Sequence, residues 1–200
     1  MQTTWEEIIA SDVTSIHLIW YGSILARSTH EGDTSHHDTV IVKWFQRIYN
    51  LKMVPEWFCR MKLEAFMKKY WEKYGITTME EVDALDTKYC VLNAQYTWNS
   101  EDYLNWVLVK ICKKDFETYQ KREEIYDLYQ TSYQSICPDT GIICDEEATG
   151  YILIAHEQYL IDDGYAFLPY HNLARDGAYS YGEYFGKIFD ETTKNIKKEK

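Results

Sequence analysis

Apolar residues recur along this chain mostly at three- and four-residue spacing, a period that predicts helices. Near the N-terminus, Thr4-x-x-Glu7 has the form of a capping box ahead of Trp5, Ile8 and Ile9. Ile9, Val13, Ile16, Trp20 and Ile24 continue that stripe, although Gly22 interrupts it. A hairpin turning at Gly22-Ser23 and pairing 15–21 with 24–28 is the rival for this segment. The polar run 29–38 reads as a loop. Asp38 then caps a helix through Asn50, with Ile41, Trp44, Phe45, Ile48 and Tyr49 on one face. Pro55 opens the next helix, whose apolar face holds Trp57, Phe58, Met61, Ala65, Tyr70 and Trp71, and Gly75 stops it.

Thr78-x-x-Glu81 is a second capping box, before Val82, Leu85, Tyr89 and Leu92. Asn99-Ser100 caps a helix carrying Leu104, Val107, Leu108, Ile111 and Cys112, which runs on toward Phe116, Tyr119, Tyr126 and Tyr133. Cys137-Pro138-Asp139-Thr140-Gly141 is a turn. Asp145-Glu146-Glu147 starts another helix, acidic where the macrodipole favours it, and Gly164 ends it. Residues 164–179 look irregular, and Ser180-x-x-Glu183 is a third capping box for a terminal helix. The expected fold is mainly α. It is one compact domain of seven or eight helices over 1–200, with a short hairpin near 15–28 as the alternative there and a subdomain break near 137–141.

Composition adds a class. No run approaches the ~18 apolar residues of a membrane helix, and Met1 to Ala10 lacks the charged and apolar regions of a secretory leader. Five scattered cysteines suit a reduced, cytoplasmic protein, of a cell or of a virus inside its host. Aromatic residues are abundant, with 18 Tyr, 7 Trp and 7 Phe, and they suit both a core and a binding surface.

Charge is sorted along the chain, whose net charge is −11. Residues 40–75 hold eight Lys/Arg against three Glu, whereas 123–191 hold fourteen Asp/Glu against Arg175 and Lys187. The basic segment, with its rings at core spacing, reads as a face docked inside the molecule rather than as a nucleic-acid surface, because phosphate binding needs concentrated positive potential. The acidic half points to a partner with a basic surface.

Local chemistry is sparse. His30, His36, His37 and Asp38 are ligand types for Zn, Mn or Fe, and with His17 they would make a helical metal hydrolase. Their polar flanks favour a solvated loop with Asp38 as a cap. Cys137, Cys144, His156 and His171 match no compact zinc spacing. Leu160 stands where H-E-x-x-H would need its second His. No catalytic residue, metal or cofactor is therefore expected.

The Gly164–Gly186 stretch mixes Tyr with Gly, Ser and Asn, the composition of adaptable binding loops. Glu146, Glu147, Asp162, Asp163 and Asp176 would supply an acidic field, and Tyr165, Tyr170, Arg175, Tyr179 and Tyr181 the anchors. The expected function is a non-enzymatic acidic protein-binding module or inhibitor, filling a partner's nucleic-acid groove by imitating phosphate charge. The metal-dependent hydrolase and a structural subunit of a larger assembly are the alternatives.

Overall fold

The structure, a computed structural model, describes residues 2–20, 38–52 and 89–194. In order, these form β1 (Gln2–Thr3), α1 (Trp5–Ala10), β2 (Ser15–Trp20), β3 (Asp38–Lys43), β4 (Phe45–Lys52), β5 (Tyr89–Tyr96), β6 (Tyr103–Cys112), α2 (Phe116–Arg122), β7 (Tyr126–Ile136), β8 (Ile143–Ala155), β9 (Tyr165–Ala166), α3 (Leu168–Tyr181), α4 (Glu183–Thr192) and β10 (Thr193–Lys194). Strands, not helices, dominate. The mainly α, multi-helix expectation is overturned.

One sheet has the order β1-β7-β3-β6-β2-β8, and β7 also pairs with β8. That second pairing closes β7, β3, β6, β2 and β8 into a five-stranded barrel, with β1 added beside β7. All barrel pairs are antiparallel except β2–β8, which meet in parallel at Leu18↔Tyr151 and Ile19↔Ile152. A second sheet, β10-β4-β5-β9, is reached where the chain turns at Trp44, whose φ is 71°. Its N–H donates to Asp102 O at 2.8 Å, and its carbonyl accepts from Thr97 N–H at 2.9 Å. The corner is thereby pinned to the connection between β5 and β6.

The helical spacing misled because these strands are covered on both faces. Val40, Ile41 and Val42 are all buried, as are Leu18, Ile19 and Trp20, so the period of two that marks a half-exposed strand is absent. Composition decides for strand, since Ser15–Trp20 and Asp38–Lys43 are rich in β-branched and aromatic residues. The helices expected over 38–50, 99–112 and 145–163 are β3 with β4, β6, and β8. The one expected from 116 to 133 is α2 followed by β7. Most of the 164–179 stretch read as irregular belongs to α3.

Three local readings survive. Thr4 and Glu7 form the capping box of α1, in which Thr4 Oγ1 accepts from Glu7 N–H. The 137–141 turn joins β7 to β8, with Gly141 N–H donating to Cys137 O at 2.8 Å. The terminal helix exists as α4, although its cap Gly182 offers no side chain and the Ser180 box does not form. β2 occupies half of the rival hairpin but pairs with β6 and β8. Residues 24–28, the helix from Pro55 to Gly75 and the Thr78 box lie outside the described residues.

Buried polar groups tie the two sheets together. Asn93 on β5 accepts from Ala155 N–H at the end of β8 and donates to Asn50 on β4. Arg47 on β4 is wholly buried, donates to Asn105 on β6 and to Thr192 and Thr193, and lies over the Phe189 ring at 4.3 Å. Among the described residues of the basic run 40–75, Arg47 docks inward against the C-terminal part, from a strand rather than a helix. Lys43 is exposed.

Candidate active site

Functional chemistry in a barrel needs a polar side chain that the fold isolates from water yet leaves unsatisfied. Among the described residues most titratable groups fail that test. His17 Nδ1 is bonded to Tyr133 Oη at 2.9 Å, His171 Nδ1 to Tyr49 Oη at 2.7 Å, and His156 Nε2 to Asp127 at 3.1 Å. Gln2 holds the other oxygen of Asp127. Each makes a link between elements.

Glu123 is different. α2 ends at Arg122, and Glu123 caps it, with its N–H donating to Tyr119 O at 2.8 Å. Tyr126 N–H then donates to Glu123 O at 3.0 Å, which starts β7. These two bonds fix the backbone on either side of Glu123, and Phe116 and Ile125, near it in the chain, are buried as well. The carboxylate is buried too, and its one ion-pair partner among the described residues is Arg122, Nε to Oε1 at 3.0 Å. Burial pushes the carboxyl up to about 7, because the charge and hydrogen bond of Arg122 offset only part of the lost hydration.

The end of β2 forms the other wall. The Arg122 guanidinium lies 4.7 Å from the centre of the Trp20 ring, and Trp20 meets Tyr119 at 5.2 Å. A buried carboxyl that titrates near neutrality can both take and return a proton at physiological pH. Trp20 is the last residue of β2, so the site sits at the C-terminal end of that strand.

The residues expected to form a binding surface are dispersed. Glu146 and Glu147 are exposed on the outer half of β8. Asp162 and Asp163 are exposed in the connection before β9, and Tyr165 is half-buried on β9 itself. Tyr170 and Tyr181 are buried in the core. Arg175 and Tyr179 do meet, around Asp190: Arg175 donates two hydrogen bonds to it at 2.7 Å, and Tyr179 Oη donates at 2.8 Å. Asp176, on the same helix, is exposed. The Arg175 cluster clamps α3 to α4.

No three candidate ligands come together among the described residues. His30, His36 and His37 lie outside them, and Asp38 opens β3. The helical metal hydrolase is thereby corrected, because Asp38 and His17 stand on strands. Cys137 and Cys144 flank the β7–β8 turn, while His156 and His171 are engaged elsewhere.

No protein-family model matches the sequence, and no curated protein matches it significantly. Solved structures do match the fold. A γ-glutamyl cyclotransferase superimposes with a TM-score of 0.56 at 11% identity, over 93% of this chain and 92% of that one. The chain has a γ-glutamyl cyclotransferase fold. YkqA from Bacillus subtilis gives 0.61 at 11% identity over 97% of this chain, which spans 60% of that longer protein. An uncharacterized protein from Homo sapiens gives 0.57 at 12%, over 94% of each chain.

This fold overturns the reading of a non-enzymatic, all-α inhibitor that mimics nucleic acid. The sequence reading also missed Glu123. It is one of fourteen acids in an acidic half, and nothing local marks it as the buried one. No helix among the described residues is long and apolar enough to cross a membrane.

Proposed function

We propose that this chain is an enzyme of the γ-glutamyl cyclotransferase type, with Glu123 as its general acid–base group. The observation that carries the reading is a buried carboxyl, titrating at about 7, just before barrel strand β7 in a fold that matches such an enzyme. The reaction is an intramolecular aminolysis. The α-amine of a γ-glutamyl compound attacks the γ-carbonyl, a C–N bond closes a five-membered lactam, and the γ-amide C–N bond breaks to release an amine. The nucleophile and carbonyl belong to one molecule, so holding that molecule folded supplies much of the rate.

One proton must leave the ammonium and one must reach the departing amine. An α-ammonium loses its proton at about pH 8. A carboxylate titrating at about 7 is close enough to accept that proton and then return it. The low-polarity wall of Trp20 and Tyr119 keeps water from taking its place. A reduced cytoplasmic setting belongs to the same proposal, since Cys112, Cys137 and Cys144 are free thiols.

The test is turnover of γ-glutamyl anilides and γ-glutamyl dipeptides, followed as lactam by mass spectrometry. The Glu123→Gln variant should lose about 10²- to 10⁴-fold in kcat. In the wild type, kcat/KM should fall as pH drops through about 7, because protonated Glu123 cannot accept the ammonium proton. Turnover in Glu123→Gln equal to wild type would refute the assignment.

A further inference from the structure

Among the described residues, two hold a positive φ without being glycine, and both are tryptophan: Trp44 at 71° and Trp98 at 58°. A bulky side chain is disfavoured in that region, and such strain persists only where neighbouring contacts impose it. Here the two turns brace each other. Thr97 N–H donates to Trp44 O at 2.9 Å, and Trp44 N–H donates to Asp102 O at 2.8 Å. Asn99 stiffens the second turn, its side-chain oxygen accepting from Glu101 N–H and its carbonyl from Asp102 N–H, both at 3.1 Å. The strain does not serve the core, because Trp44 is 41% exposed and Trp98 84%.

The rings around them are ordered. Tyr96 is exposed but meets the buried Phe45 ring edge-on at 5.2 Å. Trp98 then meets Tyr96 at 4.7 Å with the ring planes at 89°. Two perpendicular rings in contact leave a right-angled recess walled by two π faces, and both faces attract a cation. Tyr103, also exposed, extends the aromatic surface onto the start of β6.

Charge decides which occupant fits. Glu101 and Asp102 follow Trp98, and residues 95–109 contain no Lys or Arg. Burial and then the charge of Glu191 raise the Tyr103 phenol, which puts a third acid near the patch. Lys43, opposite Tyr103 in the β3–β6 register, offsets only part of this. We propose that the Trp44–Trp98 surface docks a basic segment of a partner protein, with an arginine side chain seated against Tyr96 and Trp98. A guanidinium is planar and weakly hydrated, so it stacks on a ring more readily than an ammonium does. Rings already held in place lose little freedom on binding, and Trp, Tyr and Arg are the residues that dominate interface energies. A nucleic acid would be repelled by the same carboxylates, and a glycan would have no use for them.

The experiment titrates fluorescein-labelled octapeptides of alternating Gly-Arg, Gly-Lys and Gly-Glu with wild type, Trp98→Gly, Trp98→Asn, Glu101→Gln and Glu117→Gln, read by anisotropy. Glycine and asparagine both accept a positive φ, so the two Trp98 variants should melt no lower than wild type. Wild type should bind Gly-Arg more tightly than Gly-Lys and should not bind Gly-Glu. Both Trp98 variants should weaken Gly-Arg binding about 10- to 30-fold. Glu101→Gln should weaken it about 2- to 5-fold, and less as salt rises. Glu117→Gln makes the same charge change on α2, past the opposite end of β6, and should leave it unchanged. Undiminished binding in both Trp98 variants would overturn the surface. So would an equal loss in Glu117→Gln, which would trace binding to overall charge. Trp98-dependent binding of cellohexaose instead of the peptides, or Trp98-dependent self-association in analytical ultracentrifugation, would overturn the basic partner in favour of a glycan or a second copy.

Discussion

At Glu123 the cost of burial and the charge of Arg122 pull the carboxyl in opposite directions, and burial wins. The unfolded carboxyl titrates near 4.5 and the folded one at about 7. The stabilisation this group gives is therefore complete below pH 4.5 and lost as pH rises through about 7, a difference on the order of 3 kcal/mol. Glu123→Gln should melt higher than wild type at pH 8, with the gain closing by pH 5; thermal scans at both values would measure it. Residues kept for chemistry are often costly to the fold in this way. Arg47 is the opposite case, a buried cation whose two terminal nitrogens meet several neutral acceptors, although its buried Nε has none. Burial lowers its titration to about 9, so it remains charged at neutral pH. Arg47→Ala would strand the Asn105, Thr192 and Thr193 oxygens and should cost about 3–5 kcal/mol in urea unfolding. A loss below 1 kcal/mol would show that the network holds without it.

Elements fit together through edges and corners. β8 is long, and its outer half, Ile143–Thr149, is exposed, paired with β7 on one side and uncovered by any described strand on the other. An open edge invites another chain to pair, and charge discourages it. Asp145, Glu146 and Glu147 lie along this edge, so neutralising all three should produce concentration-dependent association, visible by light scattering at neutral pH. If the triple variant stays monomeric, the acids do not guard the edge. α3 and α4 pack closely because Gly186 faces Tyr179; a Cβ at Gly186 would stand 2.4 Å from the ring. The Arg175–Asp190–Tyr179 cluster closes the same interface at the surface. Burial would raise the Asp190 carboxyl, but hydrogen bonds from Arg175 and Tyr179 outweigh it and hold the group below its usual range. The clamp's contribution is lost as pH falls through that lowered value.

Across the whole molecule, sequence and tertiary structure decided different things. Features closed within a few residues were legible: the Thr4–Glu7 cap, the 137–141 turn, the terminal helix and the sorting of charge. A cap or a turn is a contact between near neighbours, so its residues carry their own signal. The barrel was not legible, because β2 gains its partners from residues 107–112 and 151–152, and β3 from 103–108 and 134–135. Strands enclosed on both faces lose the alternation that would have told them from helices. The candidate site was hidden for the same reason. Arg122, Glu123 and Glu124 look alike in the sequence as one charged run, and the fold tells them apart, with Trp20 against Arg122 and Glu123 buried. Composition determined how much apolar and charged surface this protein has. The tertiary fold decided which single carboxylate was taken out of water, since burial depends on what packs around a residue and not on what adjoins it in the chain.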